Sequence, residues 1–169
     1  MTTDDVLARA QALRDHKPHI VYGHHGMDHA VWPWPPDDGK RHELDCAELL
    51  CLCFGVQKDD GPGGWPWWSA NAIYHDATGP QKFWRLAEFG PGVGIVYAEK
   101  GMGHCGICTG DGTRARPKVI ESRASDPAAW TKRKKGVKPI DDFGVWEGIR
   151  IGLWALKRAV FVVPKALAT

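Results

Sequence analysis

The chain has 169 residues, a formal net charge of +2, 43% hydrophobic residues and 25% charged residues. This length supports one hydrophobic core, so we expect a single domain over residues 1–169. The near-neutral charge argues against wholesale nucleic-acid binding, and the longest apolar run, residues 149–163, contains Arg150, Lys157 and Arg158, which argues against insertion into a membrane.

The first predicted element is a helix from Asp4 to Asp15, in which apolar residues recur at helical spacing. Thr3 or Asp4 is available as its N-cap, and Pro18 marks its end. The following residues, 19–39, are rich in Gly, Pro, His and Trp and predict a loop. Since no basic segment followed by an apolar segment opens the sequence, we expect synthesis in the cytoplasm without a secretory signal peptide.

Residues 45–55 have the pattern of a short buried helix. Asp45 can cap its N-terminus, Glu48 three residues later completes a capping box, and Gly55 suits the left-handed residue that ends a helix. Cys46 then lies in the first turn, where free N–H groups and the positive end of the helix dipole favour a thiolate. The sequence therefore predicts a reactive cysteine at this position.

The remaining elements change in character along the chain. Residues 60–68, rich in Trp, Gly and Pro, predict a loop, and residues 70–76 predict a helix that Gly79 ends. Strands are expected at residues 93–98, 104–109, 118–122 and 159–163, with turns at 99–101 and 110–112 and a further helix at 146–156. The pattern predicts an α+β fold, in which a helical N-terminal half packs on a small antiparallel sheet.

His104 begins one of the predicted strands. Strand alternation sends His104, Gly106 and Cys108 to one face and Cys105 and Ile107 to the other. A histidine that faces a helix N-terminus from a central strand can meet a thiol there and accept its proton. The sequence therefore indicates a cysteine and histidine pair that could carry out nucleophilic catalysis.

Four segments together resemble the NlpC-type cell-wall peptidases, which are compact papain-like cysteine enzymes. Residues 45–49, Asp-Cys-Ala-Glu-Leu, resemble the family's Asp-Cys-Ser-Gly-Leu/Phe nucleophile motif. Residues 21–23 are similar to its upstream aromatic-glycine segment, and residues 90–96 to its Pro-Gly-Asp segment. Residues 104–112 resemble its His-Val-Gly-Ile-Tyr-x-Gly-x-Gly strand, so order and spacing agree over about residues 19–125.

The resemblance implies a papain-like fold and a catalytic set. Cys46 would be the nucleophile, His104 the base, and Glu121, one strand later, the residue that orients the base. Ala47 and Glu48 replace the family's Ser-Gly, so substrate contacts beside the nucleophile are expected to differ. No metal and no cofactor are implied.

Other residues are expected to contact the substrate. The aromatic residue that helps to form the family's oxyanion hole falls near Ile20, so the backbone N–H of Cys46 and either Tyr22 or His24 would have to supply the donors. The Trp-Pro loops and residues 65–76 would border the substrate groove. The expected substrate-binding residues are Tyr22, His24, Asp45, Trp67 and Trp68.

The resemblance also implies a substrate, the stem peptide of bacterial peptidoglycan. NlpC-type enzymes cut the linkage between γ-D-glutamate and the diamino acid, and related CHAP enzymes cut the N-acetylmuramoyl-L-alanine bond or cross-bridges. A compact hydrolase of this kind fits a phage endolysin or a tail-associated lysin that acts on the cell wall.

Two other classes of function compete with a hydrolase. Five cysteines, an odd number, fit reduced thiols, and with His104 four of them could bind zinc: Cys51, Cys53, Cys105 and Cys108. Cys105 and Cys108 also have the spacing of a redox pair. The second alternative is a catalytically silent module that holds peptidoglycan or a structural partner on a tryptophan-lined surface. The basic residues in 132–138 predict a solvated loop or, less simply, an anion-binding surface.

Overall fold

The computed structural model describes residues 1–16, 20–23, 32, 40, 42–56, 61–62, 68–100, 103–123, 145–149 and 157–167. The helices in these ranges are Thr3–Asp15 (α1), Cys46–Cys53 (α2) and Ala70–Thr78 (α3). The strands are Ile20–Val21 (β1), His42–Glu43 (β2), Trp84–Leu86 (β3), Gly94–Tyr97 (β4), His104–Thr113 (β5), Arg116–Ser122 (β6), Val145–Ile149 (β7) and Val160–Pro164 (β8). The predicted α+β class is confirmed.

Six strands form one antiparallel sheet in the order β3-β8-β4-β5-β6-β7. The two-residue strands β1 and β2 pair in parallel as a separate small sheet. Within the larger sheet β5 lies between β4 and β6, and its first residue, His104, pairs with Tyr97 of β4. The helices stand mainly in the first half of the chain, as the sequence predicted.

The N-termini of α1 and α2 are both closed by capping boxes. In α1 the N-cap is Thr2 rather than the expected Thr3 or Asp4, since the Thr2 side chain accepts from the backbone N–H of Asp5. In α2 the backbone N–H of Glu48 donates to Asp45 at 2.7 Å, and that of Asp45 donates to Glu48 at 2.8 Å. The predicted box at α2 is confirmed, and it fixes the helix start at Cys46.

The α2 helix is the centre of the core. All of its residues are buried, and the buried hydrophobic side chains of the described ranges form one cluster that includes them. Its N-terminus meets the sheet directly, because the Cys105 thiol reaches the carbonyl of Cys46 and the Ser122 hydroxyl donates to the carbonyl of Leu44. The first turn of α2 is thereby fixed against β5 and β6.

The glycine-rich turn predicted at 110–112 is absent. Instead β5 continues to Thr113, and its pairing with β6 shifts register between Cys108 and Gly112. Gly110 and Gly112 adopt φ values of 91° and 84°, a left-handed conformation that glycine tolerates and that such an irregularity needs. The two glycines therefore mark a bulge in the hairpin, and the reversal follows Thr113.

The helix predicted at 146–156 is wrong over its first residues, which belong to β7. Val145–Ile149 pairs with β6, and Val145 is buried. Gly148 lowers helix propensity, and the free edge of β6 offers backbone partners that a local pattern does not reveal. Residues 150–156 lie outside the described ranges. The edge strand β3 was also not predicted, for the same non-local reason.

No helix in the described ranges combines the length and the apolar character that crossing a bilayer requires. The longest of them, α1, has 13 residues.

Gly106 keeps β5 close to β6 beside the candidate site. The pairing of Ile107 with Ile120 places Gly106 opposite Glu121, and an added Cβ would lie 2.9 Å from the Ile120 carbonyl oxygen and 3.2 Å from the Glu121 Cβ. We expect Gly106→Ala to lower the free energy of unfolding by about 1 to 3 kcal/mol, because β6 must shift. Denaturant unfolding measures this.

A glycine in open space is the matched control. The nearest heavy atom to a Cβ on Gly90 would be 3.9 Å away, so Gly90→Ala is expected to change stability little. Equal stability losses in both variants would contradict the close approach of β5 and β6 at Gly106.

Candidate active site

Cys46 is the first residue of α2, and its side chain is 7% exposed. A hydrogen bond from the Cys105 side chain lowers the pKa of the Cys46 thiol, and the charge and hydrogen bond of His104 add to this effect. Burial and the negative charge of Asp45 oppose it, yet the pKa falls to about 5. A thiol with this pKa is a thiolate at neutral pH and a ready nucleophile.

His104, the first residue of β5, is the hydrogen-bonding partner of the Cys46 side chain. Burial acts to lower the pKa of His104, but the negative charge and hydrogen bond of Cys46, with help from Glu121, outweigh it and raise the pKa to about 9. Between these two pKa values the pair is a thiolate and an imidazolium. The structure thus brings together the two side chains that the sequence proposed as nucleophile and base.

Glu121 lies on the other side of the imidazole. The Nε2 atom of His104 is 2.7 Å from Oε2 of Glu121, whose side chain is fully buried. Because Nε2 faces this carboxylate, Nδ1 is the ring nitrogen left for Cys46. The carboxylate fixes the orientation of the ring, which is the position that the sequence assigned to Glu121.

Arg123 joins this group, and the sequence analysis did not predict it. Its Nη1 atom lies 3.7 Å from Oε1 of Glu121, and its side chain is 20% exposed. Arg123 lies just beyond the end of β6 and follows Glu121 by two positions, the spacing at which side chains of an extended chain point to the same side. That spacing was the available sequence signal. The guanidinium offsets part of the cost of burying a carboxylate.

Cys105, a neighbour of Cys46, is the second residue of the site that sequence reasoning missed. It is fully buried, and its Sγ atom lies 3.1 Å from the carbonyl oxygen of Cys46, while its side chain hydrogen-bonds that of Cys46. His104 and Cys105 are the first two residues of β5, and both contact Cys46 there. Burial, followed by the interactions with Cys46, raises the pKa of Cys105 well above its usual range.

Tyr22 directly follows β1 and lies near Cys46. Burial raises the pKa of its hydroxyl, and the nearby negative charges of Cys46 and Asp45 raise it further. The hydroxyl therefore keeps its proton at neutral pH, and its role as a donor to an oxyanion at Cys46 stays a prediction. His24 and Trp67, the other expected contacts of the substrate, lie outside the described ranges.

Asp45 and Trp68 both make contacts that stabilise the fold. The Asp45 carboxylate caps α2, so its contact with a substrate stays a prediction. The Trp68 side chain is 5% exposed and packs against Phe83, with ring centroids 5.1 Å apart. A buried indole offers little surface to a ligand, and the contact of Trp68 with a substrate stays a prediction.

The remaining cysteines are buried thiols. Burial raises the pKa of Cys51 and Cys53 and raises that of Cys108 to about 12, so these three are unreactive at neutral pH. Among the described residues, which include all five cysteines, no group of three or more His, Cys, Asp or Glu side chains could hold a metal ion. The zinc alternative therefore gains no support from the geometry.

The two pKa values predict how thiol reactivity depends on pH. Cys46 reacts as its thiolate, so alkylation by iodoacetamide is expected to rise through about pH 5 and then level off. Loss of the His104 proton near pH 9 removes the positive partner and can change the rate again. Mass spectrometry of the alkylated Cys46 peptide follows this rate.

A free cysteine, whose reactivity rises near pH 8.5, is the reference for this experiment. A Cys46 rate that rises only at that higher pH would contradict the ion pair with His104.

A thiolate at a helix N-terminus, an imidazole within hydrogen-bonding reach and a buried carboxylate behind it are the components of acyl transfer by a cysteine nucleophile. Comparison with known proteins does not add a family to this description. No family model matches the chain, and neither a curated protein nor a solved structure matches it. Function is therefore inferred from the sequence motifs and the geometry of Cys46, His104 and Glu121.

Proposed function

We propose that the chain is a cysteine hydrolase that cleaves a peptide or amide bond in the stem peptide of bacterial peptidoglycan. The observation that carries the proposal is the hydrogen-bonded series from Cys46 through His104 to Glu121. A central helix that begins at the nucleophile and packs on an antiparallel sheet carrying the other two residues also supports a papain-like, NlpC-type fold.

The mechanism begins from the thiolate and imidazolium pair. The Cys46 thiolate attacks the carbonyl carbon, and the oxyanion accepts hydrogen bonds from the backbone N–H of Cys46 and the Tyr22 hydroxyl. His104 gives its Nδ1 proton to the leaving amine. It then takes a proton from water, which attacks the thioester and releases the acyl group. Glu121 keeps the imidazole in place and stabilises its cation throughout.

The choice of substrate rests on the resemblance of residues 45–49 and 104–112 to NlpC-type motifs. We place the action of the enzyme at the bacterial cell wall, as an endolysin or tail-associated lysin of a phage. The endopeptidase reaction at γ-D-glutamate and the amidase reaction at N-acetylmuramoyl-L-alanine both need the same acyl chemistry.

Mass spectrometry of muropeptides tests the proposal. Peptidoglycan of the diaminopimelate type is incubated with the protein and then digested with a muramidase to release fragments. We expect either shortened stem peptides, from endopeptidase cleavage, or separated glycans and intact stems, from amidase cleavage.

The control is the same protein after alkylation of Cys46 with iodoacetamide, which blocks the nucleophile and leaves the sequence intact. Identical fragments from alkylated and unalkylated protein would refute the assignment as a cysteine-dependent wall hydrolase. New fragments that survive alkylation would exclude Cys46 as the nucleophile.

A further inference from the structure

Two thiols meet at the head of α2, although acyl transfer needs only one. Cys46 is the nucleophile of the proposed mechanism, and Cys105 has no step in it. The Sγ atom of Cys105 nevertheless lies 3.1 Å from the carbonyl oxygen of Cys46, to which its thiol donates. Cys105 is also fully buried in β5, so its position is fixed by the sheet.

The contact suits a disulfide. A disulfide requires Cα atoms within about 7 Å and side chains that point towards each other. The two residues belong to elements that already pack together, the first turn of α2 and the start of β5, and the Cys105 thiol already contacts the backbone of Cys46. We therefore expect the bond to form by rotation of side chains, without rearrangement of the helix or the sheet.

We propose that peroxide converts Cys46 and Cys105 into a reversible disulfide that switches the enzyme off and protects its nucleophile. The pairing rests on the geometry alone, and its meaning as regulation rests on the proposed hydrolase function. A disulfide at Cys46 removes the thiolate that attacks the substrate. Reduction by a dithiol restores both thiols.

The reaction proceeds in two balanced steps. The Cys46 thiolate attacks one oxygen of hydrogen peroxide, the O–O bond breaks, and the leaving hydroxide takes the His104 proton to become water; Cys46 is oxidised to a sulfenic acid. The Cys105 sulfur then attacks the Cys46 sulfur, and the S–O bond breaks. The departing hydroxide combines with the thiol proton of Cys105 to give a second water.

The thiols differ in the way this order requires. Cys46 has a thiolate at neutral pH and some exposure, so a small oxidant reaches it first. Cys105 is a buried thiol that waits for an oxidised partner beside it. Cys51, Cys53 and Cys108 are protonated and buried like Cys105, but the contact with Cys46 belongs to Cys105, so these three are expected to take no part.

The experiment treats the purified full chain with hydrogen peroxide, blocks remaining thiols with N-ethylmaleimide and maps the disulfide without reduction. Trypsin leaves Cys46, Cys51 and Cys53 on one peptide and Cys105 and Cys108 on another, so tandem mass spectrometry must assign the linked atoms. We expect a disulfide between Cys46 and Cys105 as the main product. Its formation lowers the mass of the protein by two hydrogen atoms, and dithiothreitol restores the original mass.

Two variants sharpen the assignment. In Cys105→Ala, Cys46 is expected to proceed to the sulfinic acid, which dithiothreitol does not reverse. In Cys108→Ala, the linked pair is expected as in the unsubstituted protein. If Cys105→Ala does not fold, the map of the unsubstituted protein still decides the proposal.

Sulfinic acid at Cys46 in the unsubstituted protein, or a disulfide between any other two cysteines, would overturn the proposal. The map needs no substrate, so it separates the two inferences. A linked pair in a protein that does not cleave peptidoglycan would retain the redox pair and refute the hydrolase. Hydrolysis of peptidoglycan by a protein that does not form the linked pair would support the hydrolase and refute the redox pair.

Discussion

Replacement of Cys46 by alanine is expected to lower kcat/KM for stem-peptide hydrolysis by roughly 10³-fold or more, because the variant has no atom that can form the acyl-enzyme. Helix α2 should remain intact, since Asp45 and Glu48 supply its capping box independently of the thiol. Release of the amine product from a defined stem peptide measures the loss.

Cys53→Ala is a matched control for this substitution. Cys53 stands on the same helix and is also buried, but it lies at the other end. We expect its variant to lose stability through the small cavity and to keep its activity while folded. Hydrolysis by Cys46→Ala within tenfold of the unsubstituted protein would contradict the thiol mechanism.

Cys46→Ala also distinguishes an enzyme from a catalytically silent binding module. Binding to insoluble peptidoglycan is expected to persist in Cys46→Ala, since the change leaves other contacts in place. If the unsubstituted protein binds the wall and neither protein releases products, the chain is a binding module.

Replacement of Glu121 by glutamine is the second large effect, an expected fall in kcat of roughly 10² to 10⁴-fold. The side chain keeps its size, but an amide can no longer stabilise the His104 imidazolium at Nε2 as a carboxylate does. KM should change little, because Glu121 is fully buried behind the histidine. Steady-state kinetics with the defined stem peptide separates the two parameters.

The pH profile of Glu121→Gln is expected to shift in a defined direction. The hydrogen bond and charge of Glu121 contribute to raising the pKa of His104, so their loss lowers that pKa. Activity needs the protonated imidazole, and therefore its alkaline decline, expected near pH 9 in the unsubstituted protein, should move to lower pH.

Glu147→Gln is the control for removal of a carboxylate from the neighbouring strand. Glu147 is 17% exposed and pairs with Arg14 and Lys118, away from the histidine. We expect a modest loss of stability and an unchanged pH profile. If Glu121→Gln has the same kinetics as Glu147→Gln, Glu121 has no part in orienting His104.

The parts of the site that the sequence predicted depend on short-range rules or on motifs. The capping box of Asp45 and Glu48 spans four consecutive residues, so the start of α2 and the position of Cys46 could be read locally. His104 and Glu121 were placed by their order along motifs that resemble one family. The structure brings these side chains together, and their catalytic roles stay predictions.

Most of the missed features depend on contacts between distant parts of the chain. Strands β3 and β7 form at sheet edges, where the partner strand supplies hydrogen bonds that no local pattern records. The contact of Cys105 with Cys46 joins residues 59 positions apart. Arg123 could be recognised only after the strand that carries Glu121 was known to face His104. Hydrophobic patterning predicts elements better than it predicts their neighbours.

The complete burial of α2 has a consequence for how the protein responds to heat. A helix enclosed on every side cannot fray by itself, and its amide hydrogens should exchange with solvent only when the whole molecule opens. The nucleophile would then retain its geometry until the fold itself melts. Thermal inactivation and loss of tertiary structure are expected to coincide in a single transition.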